Sequence, residues 1–351
     1  MVRRPTVFLT RDTVLDDVLE RIGRQLHNEG VRVVRDWAPA REAAGAAPPP
    51  ALAEAEVALF TMRTRCDAAM LHACPRLAGV VYPTIGVETL DLDAANDLGI
   101  AVGHGAMPEN YLGVAEAVIL LMLMWLYQPL ASRDVALGRR ARPAPRADAV
   151  WARMLRRRKV GLLGCGRIGR AIIERLQGWE VDIHFHDPYL ATGDTPGGAT
   201  GVSLETLLRE SDVVVVSVAL TAETRDIIDA RTLAWMKPDA YLINVSRGEA
   251  IDEAALEQAL RDGRIAGAAL DVSRVEPMPQ DHPLLRLDNC FVTPHMIGQT
   301  REVFEAIVPV AAENILRLLR GELPLYCRNP GVAERWAARR AALAQNGPAR
   351  P

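Results

Sequence analysis

The sequence predicts an α/β protein built of two units, the second of which is a doubly wound parallel sheet. From Lys159 onward, near-continuous apolar strands alternate with helical patterns, which is typical of a parallel sheet covered on both faces. A glycine-rich turn joins the first of these strands to its helix. The chain has 351 residues, enough for two ordinary domains.

Composition and charge narrow the class of protein. Apolar residues make up 49% of the chain and charged residues 24%, which is typical of a globular protein. A net charge of −3 gives no reason to expect a nucleic acid or a membrane surface as partner. None of the cysteines forms a CxxC pair, so neither a zinc site nor a disulfide framework is indicated. We see no targeting signal and expect a cytoplasmic protein with reduced thiols.

The first unit is predicted from short apolar strands separated by turn signals. These strands are expected at 6–9, 57–62, 78–82 and 100–103. A helix is predicted between about 13 and 29, and a loop rich in Pro and Ala at 38–50. Together these segments indicate a small α/β unit in roughly the first 105 residues.

A long apolar helix is predicted to follow Asn110 and to end near Gln128-Pro129. Its wholly apolar part, 117–127, is too short to span a bilayer. A helix that is apolar all round is usually buried in a core or at a subunit contact. The segment 138–158 is rich in Arg, Pro and Ala, and we interpret its run Arg156–Lys159 as a solvated turn rather than a basic patch.

The second unit repeats strand and helix. Its strands are predicted at 160–164, 181–186, 212–218, 240–245, 266–272 and 290–294, with helices at 167–177, 204–210 and 252–262. A last helix at about 300–320 is expected to return to the first unit. Beyond 331, the Ala- and Arg-rich tail is expected to be an exposed helix or disordered.

The glycine-rich turn has the form GxGxxG. Alone this is weak evidence, but here it follows an apolar strand and opens an amphipathic helix. The first glycine permits a tight turn, the second lets the backbone approach a pyrophosphate, and the third lets helix and strand pack closely. The helix N-terminus then faces the phosphates. The predicted dinucleotide-binding residues of this turn are Gly164, Gly166, Arg167, Ile168 and Gly169.

Asp187 ends the next strand. A carboxylate at this place accepts hydrogen bonds from the adenosine ribose hydroxyls and repels a 2′-phosphate. No Arg follows directly in 188–190, so NAD is predicted rather than NADP. The alternative interpretation of Asp187-Pro188 is a simple turn signal.

Arg247, Glu276 and His295 each follow a strand of the second unit. Ligands of open parallel sheets bind outside the carboxyl ends of the strands, so the three side chains are expected to converge. Taken singly, each is more often structural than catalytic. Together they suit hydride transfer to a keto carbon: Arg247 pairs with a carboxylate and polarises the carbonyl, His295 exchanges the proton, and Glu276 favours the protonated imidazole. No metal is predicted, because no histidine pair has metal-ligand spacing with a carboxylate partner.

With these residues in place, the chain resembles the D-isomer-specific 2-hydroxyacid dehydrogenase family. The resemblance runs from about 55 to 325 and includes GLLGCGRIGRAI, INVSRGEAIDEAAL and the long stretch that ends in FVTPHMIG. It implies a Rossmann-type NAD-binding domain at 106–298, a smaller flavodoxin-like substrate domain at 1–105 plus 299–330, and a tail at 331–351. It also implies that Asp271 belongs to the cofactor site, and that a homodimer forms through the helix near 110–127.

The expected substrate loop departs from the family's GxGxD pattern. Thr84 and Glu88 replace Gly and Asp, although the N–H groups of Thr84, Ile85 and Gly86 are still expected to bind a carboxylate as a nest of amides. Arg63 resembles a family position that meets a distal substrate group, and its other interpretation is a solvated strand end.

The expected activity is D-stereospecific hydride transfer between NAD(H) and C2 of a small 2-hydroxy or 2-keto acid. The identity of the acid stays open. The alternative is an NAD-sensing binding protein of the corepressor type on the same fold, because such proteins also retain the three polar residues.

Overall fold

The computed structural model describes residues 4–40, 43, 46–142, 152–190 and 194–345. It forms two compact units. Unit 1 is Met1–Asn110 with Thr300–Pro351, and unit 2 is Tyr111–Gln299. The part of the Arg-rich segment at 143–151 lies outside the described residues, as do the end of the tail from 346 and four positions of the loop at 38–50.

Strands and helices alternate along the described residues. The strands are β1 (Thr6–Thr10), β2 (Arg32–Asp36), β3 (Val57–Leu59), β4 (Gly79–Val81), β5 (Ala101–Gly103), β6 (Lys159–Leu163), β7 (Asp182–His186), β8 (Thr200–Gly201), β9 (Val213–Val216), β10 (Tyr241–Asn244), β11 (Gly267–Leu270) and β12 (Cys290–Val292). The helices are α1 (Asp16–Asn28), α2 (Pro50–Ala53), α3 (Ala68–His72), α4 (Leu92–Asp97), α5 (Pro108–Tyr127), α6 (Pro129–Ala136), α7 (Arg167–Arg175), α8 (Leu204–Glu210), α9 (Ala230–Leu233), α10 (Glu253–Arg261), α11 (Arg301–Arg320) and α12 (Ala333–Gln345).

Unit 1 is a parallel sheet in the order β2-β1-β3-β4-β5, with helices on both faces. The central strand β1 is buried along its whole length, and α1 and α11 pack together on one face of the sheet. The sequence prediction missed β2, because this edge strand is bounded by Arg32 and Asp36 and is only partly buried. Because all strands of this sheet run parallel, their carboxyl ends lie at the same edge of the sheet.

Unit 2 is a parallel sheet in the order β12-β11-β10-β9-β6-β7-β8. From β6 the chain moves outward through β7 and β8, and then returns to the other side of β6 as β9. The point where the strand order reverses lies between β6 and β9, which is where ligands of doubly wound sheets bind. The buried side chains of β9 and β10 form the centre of this unit.

Helix α5 begins at Pro108, two positions before the residue predicted to precede it. It packs on unit 2 through Ala115, Val118 and Leu121, and the ring of Trp125 stacks on Tyr241 at a centroid distance of 4.3 Å. By length and composition the helix is apolar enough to cross a membrane, but core helices of soluble proteins share this property. Leu120 and Tyr127 of this helix are exposed apolar side chains. The homodimer through this helix stays a prediction.

The tail was predicted to be an exposed helix or disordered, and in the described residues it forms helix α12, most of whose residues are exposed. Two side chains nevertheless attach this helix to the rest of unit 1. Trp336 is 4% exposed and donates from its indole Nε1 to the carbonyl of Ala78 at 2.9 Å. The Arg339 guanidinium donates to the carbonyls of Pro75, Leu77 and Leu98. Because these contacts run between one buried Trp, one Arg and backbone carbonyls, apolar periodicity did not reveal them.

The edge strand β5 is covered by the chain that precedes α12. The side chain of Asn329 accepts from the N–H of Val102 at 2.9 Å and donates to the carbonyl of Ile100 at 3.0 Å, so that it replaces a strand partner. Arg328 donates its N–H to the carbonyl of Val102 at 2.8 Å. Covering an edge in this way satisfies its backbone groups and blocks pairing with other chains.

Replacing Asn329 with Ala is expected to destabilise unit 1 by about 2–3 kcal/mol, because the N–H of Val102 and the carbonyl of Ile100 lose their partner in a buried place. Thermal unfolding followed by circular dichroism measures the effect. Asn28→Ala, at an exposed helix end, serves as the matched control. An equal, small shift in both variants would contradict the assignment of Asn329 as an edge cover.

Candidate functional site

The glycine turn after β6 has the geometry that close approach of a ligand requires. Gly164 has a φ of +93°, and a Cβ there would lie 2.8 Å from the carbonyl oxygen of Ser217. A Cβ at Gly169 would lie 2.6 Å from the carbonyl oxygen of Gly164. At Gly166, by contrast, a Cβ would meet nothing within 4 Å. The turn is thus tight on its protein side and open at the N-terminus of α7, as a pyrophosphate site needs.

No side chain among the described residues caps the N-terminus of α7. Arg167 is exposed at this end, and Ile168 packs partly into the core of unit 2. The uncapped N–H groups and the helix dipole favour an anion here. The predicted cofactor residues of the turn therefore lie together at the carboxyl end of β6.

Asp187 lies directly after β7 and is fixed against the glycine turn. Its Oδ2 accepts from the N–H of Cys165 at 2.9 Å, and its Oδ1 accepts from the N–H of Tyr189 at 3.0 Å. The hydroxyl of Tyr189 donates to the carboxylate of Glu223 at 3.0 Å. Tyr189 therefore links the carboxylates of Asp187 and Glu223 beside the glycine turn.

Arg247 follows β10 in a loop that Asn244 organises. The Asn244 amide nitrogen donates to the carbonyl of Arg247 at 2.9 Å, and its oxygen accepts from the N–H of Ser246 at 3.0 Å. The loop abuts the one after β11, because a Cβ at Gly248 would lie 2.0 Å from the carbonyl carbon of Ser273. The loops that carry Arg247 and Glu276 are therefore packed directly against each other.

Glu276 and His295 form a hydrogen-bonded pair. The Nδ1 of His295 lies 2.8 Å from the Oε2 of Glu276, and the Oε1 of Glu276 accepts from the N–H of Ser273 at 3.2 Å. Both side chains are half-exposed. Burial by itself raises the pKa of Glu276, but the hydrogen bond and charge of His295, the Ser273 N–H and the charge of Arg247 outweigh it, and the pKa is lowered. Glu276 is therefore ionised and orients the imidazole.

The turn that carries His295 is built around Asp271. The Oδ1 of Asp271 accepts from the Oγ1 of Thr293 at 2.6 Å and from the N–H groups of Met296 and Ile297 at 2.9 and 3.1 Å. The carbonyl of Asp271 accepts from the N–H of His295 at 2.7 Å. His295 has a φ of +56°, a conformation that is unfavourable for a residue with a side chain and that these bonds hold in place.

Asp271 is predicted from the resemblance to lie in the cofactor site, and the structure adds a second role for it. Burial raises the pKa of its carboxyl, and the bonds from Thr293, Ile297 and Met296 offset only part of this. Its Oδ2 makes no hydrogen bond within the part of the chain that the structure describes. One oxygen thus shapes the His295 turn, and the other is left for a donor from a ligand.

In unit 1, the predicted substrate loop Thr84–Gly86 follows β4. The carbonyls of Thr84 and Ile85 accept from the Gly105 N–H at 2.8 Å and from the His104 Nδ1 at 2.9 Å. Among the described residues, the N–H groups of Thr84, Ile85 and Gly86 have no acceptor. The hydroxyl of Thr84 is buried without a partner in the same set of residues. The loop thus presents amide donors, as the nest prediction requires.

Arg63 lies after β3 at the same edge of unit 1. Its Nη1 contacts both oxygens of Asp12 at 3.2 Å. Burial alone raises the pKa of Asp12, but hydrogen bonds from Thr61, Leu15 and Val14 and the charge of Arg63 lower it overall. The Arg63 side chain is 52% exposed. It is therefore partly solvated, but its charge is paired with that of Asp12.

Sequence reasoning missed several residues that shape the site: Asp12, Asn244, Thr293 and His104. Each makes a hydrogen bond between side chain and backbone, or between two side chains. No sequence motif predicts these bonds. One signal was available for Asn244, because a polar residue closing a fully buried strand must find partners for its amide.

Known proteins are similar in sequence to most of this chain. The profile described as "D-isomer specific 2-hydroxyacid dehydrogenase, NAD binding domain" matches residues 121–297. A glyoxylate reductase of Thermofilum pendens is 31% identical over 92% of this chain and 93% of its own length. Glyoxylate/hydroxypyruvate reductase B of Pectobacterium carotovorum is 35% identical over 81% of this chain and 88% of its own.

A solved structure is also similar over nearly the whole chain. It is an NADPH-dependent glyoxylate/hydroxypyruvate reductase of Sinorhizobium meliloti in complex with NADP and malonate, with a TM-score of 0.77, 29% identity and coverage of 93% of this chain and 97% of that one. Together with the glycine turn, Arg247 and the Glu276–His295 pair, these similarities show that the chain belongs to the D-isomer-specific 2-hydroxyacid dehydrogenase family.

Proposed function

We propose that this chain reduces a small 2-keto acid, of the size of glyoxylate or hydroxypyruvate, to the 2-hydroxy acid with NADH, with D stereochemistry where C2 becomes chiral. The observation that carries the proposal is the Glu276–His295 hydrogen bond of 2.8 Å in the same unit as Arg247 and the glycine turn. Relatives named glyoxylate reductase support this size of substrate.

The residues of the chain divide the chemistry between them. Bound NADH supplies the hydride to C2. Because the Nδ1 of His295 is occupied by Glu276, its Nε2 is the atom that gives a proton to the carbonyl oxygen in reduction and takes it back in oxidation. The guanidinium of Arg247 stabilises the negative charge that develops on that oxygen and binds the substrate carboxylate.

The glycine turn fits the pyrophosphate of a dinucleotide, because the space at Gly166 is open and the N-terminus of α7 is uncapped. Asp187 supports NAD rather than NADP. Its fixed carboxylate suits ribose hydroxyls, and Glu223 adds a second negative charge through Tyr189. The Sinorhizobium meliloti relative binds NADP, so the preference is a property we propose for this chain's own residues.

Arg63 supports a substrate without a second anionic group. A distal phosphate or carboxylate needs an uncompensated cation, whereas the charge of Arg63 is already balanced by buried Asp12. Small 2-keto acids therefore suit this edge of unit 1 better than phosphate-bearing ones.

The direct experiment is NADH oxidation at 340 nm with glyoxylate, hydroxypyruvate, pyruvate and a phosphate-bearing 2-keto acid. We expect the first two to give the highest kcat/KM, and His295→Asn to reduce kcat by about 10²–10⁴-fold while NADH binding is retained, because the proton donor is lost. His27→Asn, on the exposed face of α1, is the control. NADH binding without turnover of any acid would refute the proposal and favour the NAD-sensing binding protein.

Replacing Glu276 with Gln is expected to move the pH profile of kcat/KM for reduction toward acid. Glu276 is ionised because its pKa is lowered, and its charge stabilises the protonated imidazole. A neutral amide removes that stabilisation, so the proton donor is lost at a lower pH. The profile is measured between pH 5 and about 9. An unchanged profile would show that Glu276 does not act on His295.

Replacing Asp187 with Ser is expected to raise the affinity for NADPH relative to NADH by about tenfold or more, because the repulsion of the 2′-phosphate is removed. Quenching of protein fluorescence measures both dissociation constants without turnover. The control is Asp182→Ser at the other end of β7, because it removes the same negative charge from a different place. Equal ratios in the two variants would contradict the role of Asp187.

A further inference from the structure

We propose that His104 is a positioning residue, which holds the loop Thr84–Gly86 so that its amides face the substrate carboxylate. The proposal rests on the function proposed above and concerns unit 1 alone. His104 follows β5, is 8% exposed and was not singled out by any sequence motif.

Two consecutive carbonyls of the loop are bound by the dipeptide His104-Gly105. The carbonyl of Thr84 accepts from the N–H of Gly105 at 2.8 Å. The carbonyl of Ile85 lies 2.9 Å from the Nδ1 of His104, and since a carbonyl only accepts, this ring nitrogen carries the hydrogen.

The direction of the amides follows from peptide geometry. In a trans peptide unit, the C=O of one residue and the N–H of the next point in opposite directions. Because the carbonyls of Thr84 and Ile85 point to His104-Gly105, the N–H groups of Ile85 and Gly86 point away from it. Neither N–H has an acceptor among the described residues. Two adjacent donors that face one side form a carboxylate-binding concavity.

The dipeptide His104-Gly105, which binds the loop, also contacts two other segments of unit 1. A Cβ at Gly105 would lie 2.1 Å from the carbonyl oxygen of Pro83, so the two segments are in direct contact. The N–H of His104 donates to the carbonyl of Tyr326 at 3.0 Å, which ties β5's loop to the segment before α12. The imidazole thus acts on the loop through the carbonyl of Ile85.

The test compares His104→Ala with His104→Asn, whose Nδ2 replaces the donor at the position of Nδ1. We expect the Ala variant to raise KM for glyoxylate about tenfold, to change kcat by less than about threefold and to leave NADH affinity unchanged, while the Asn variant restores KM. His72→Ala is the matched control, because its Nδ1 also contacts a carbonyl, that of Ala68 at 2.7 Å, on an exposed helix. An unchanged KM in the Ala variant, or no rescue by Asn, would overturn the proposal.

Hydrogen exchange separates this inference from the proposed function. The amide of Gly105 donates to Thr84, so its protection reports the attachment of the loop in the absence of any substrate. We expect faster exchange of this amide in His104→Ala and wild-type exchange in His104→Asn. If the wild-type chain turns over no keto acid, the proposed function fails, whereas equal protection in all variants shows that His104 does not hold the loop.

Discussion

The catalytic geometry of unit 2 depends on one buried carboxylate, that of Asp271. Its Oδ1 binds three donors from the turn after β12, and its own carbonyl binds the N–H of His295. These bonds hold His295 at a positive φ and so place the imidazole beside Glu276. The pair proposed to exchange the proton is therefore fixed by a third residue, Asp271.

Buried polar side chains also hold other loops of the fold through hydrogen bonds to the backbone. Asn244 binds Ser246 and Arg247 in the loop after β10, and Asn329 takes the place of a neighbouring strand at the edge of unit 1. Loops that follow buried strands carry backbone groups that water cannot reach, and these groups must find partners. A sequence shows that a residue is polar, but it does not show which carbonyl or N–H it will bind more than two hundred positions away, as Asn329 does. These contacts and strand β2 were therefore beyond prediction from the pattern.

What the sequence did predict has a physical reason. The buried strands of unit 2 appear as uninterrupted apolar runs because both faces of a parallel sheet are covered. The glycine turn is recognisable because no other residue fits at Gly164 or Gly169. Arg247, Glu276 and His295 could be grouped because each follows a strand of one parallel sheet, whose carboxyl ends share an edge. The attachment of α12 was not predicted, because a single Trp and a single Arg, rather than a periodic apolar face, make it.

The pairing of Glu276 with His295 makes the stability of unit 2 depend on pH. Because the pKa of Glu276 is lower in the folded chain than its ordinary value of 4.5, the pair stabilises unit 2 fully above that value. This stabilisation is lost as the pH falls through the folded-state pKa, since the carboxylate then takes up a proton. A change at Glu276 therefore affects stability in acid, whereas a change at Asp271 removes the hydrogen bonds from Thr293, Met296 and Ile297 that shape the His295 turn.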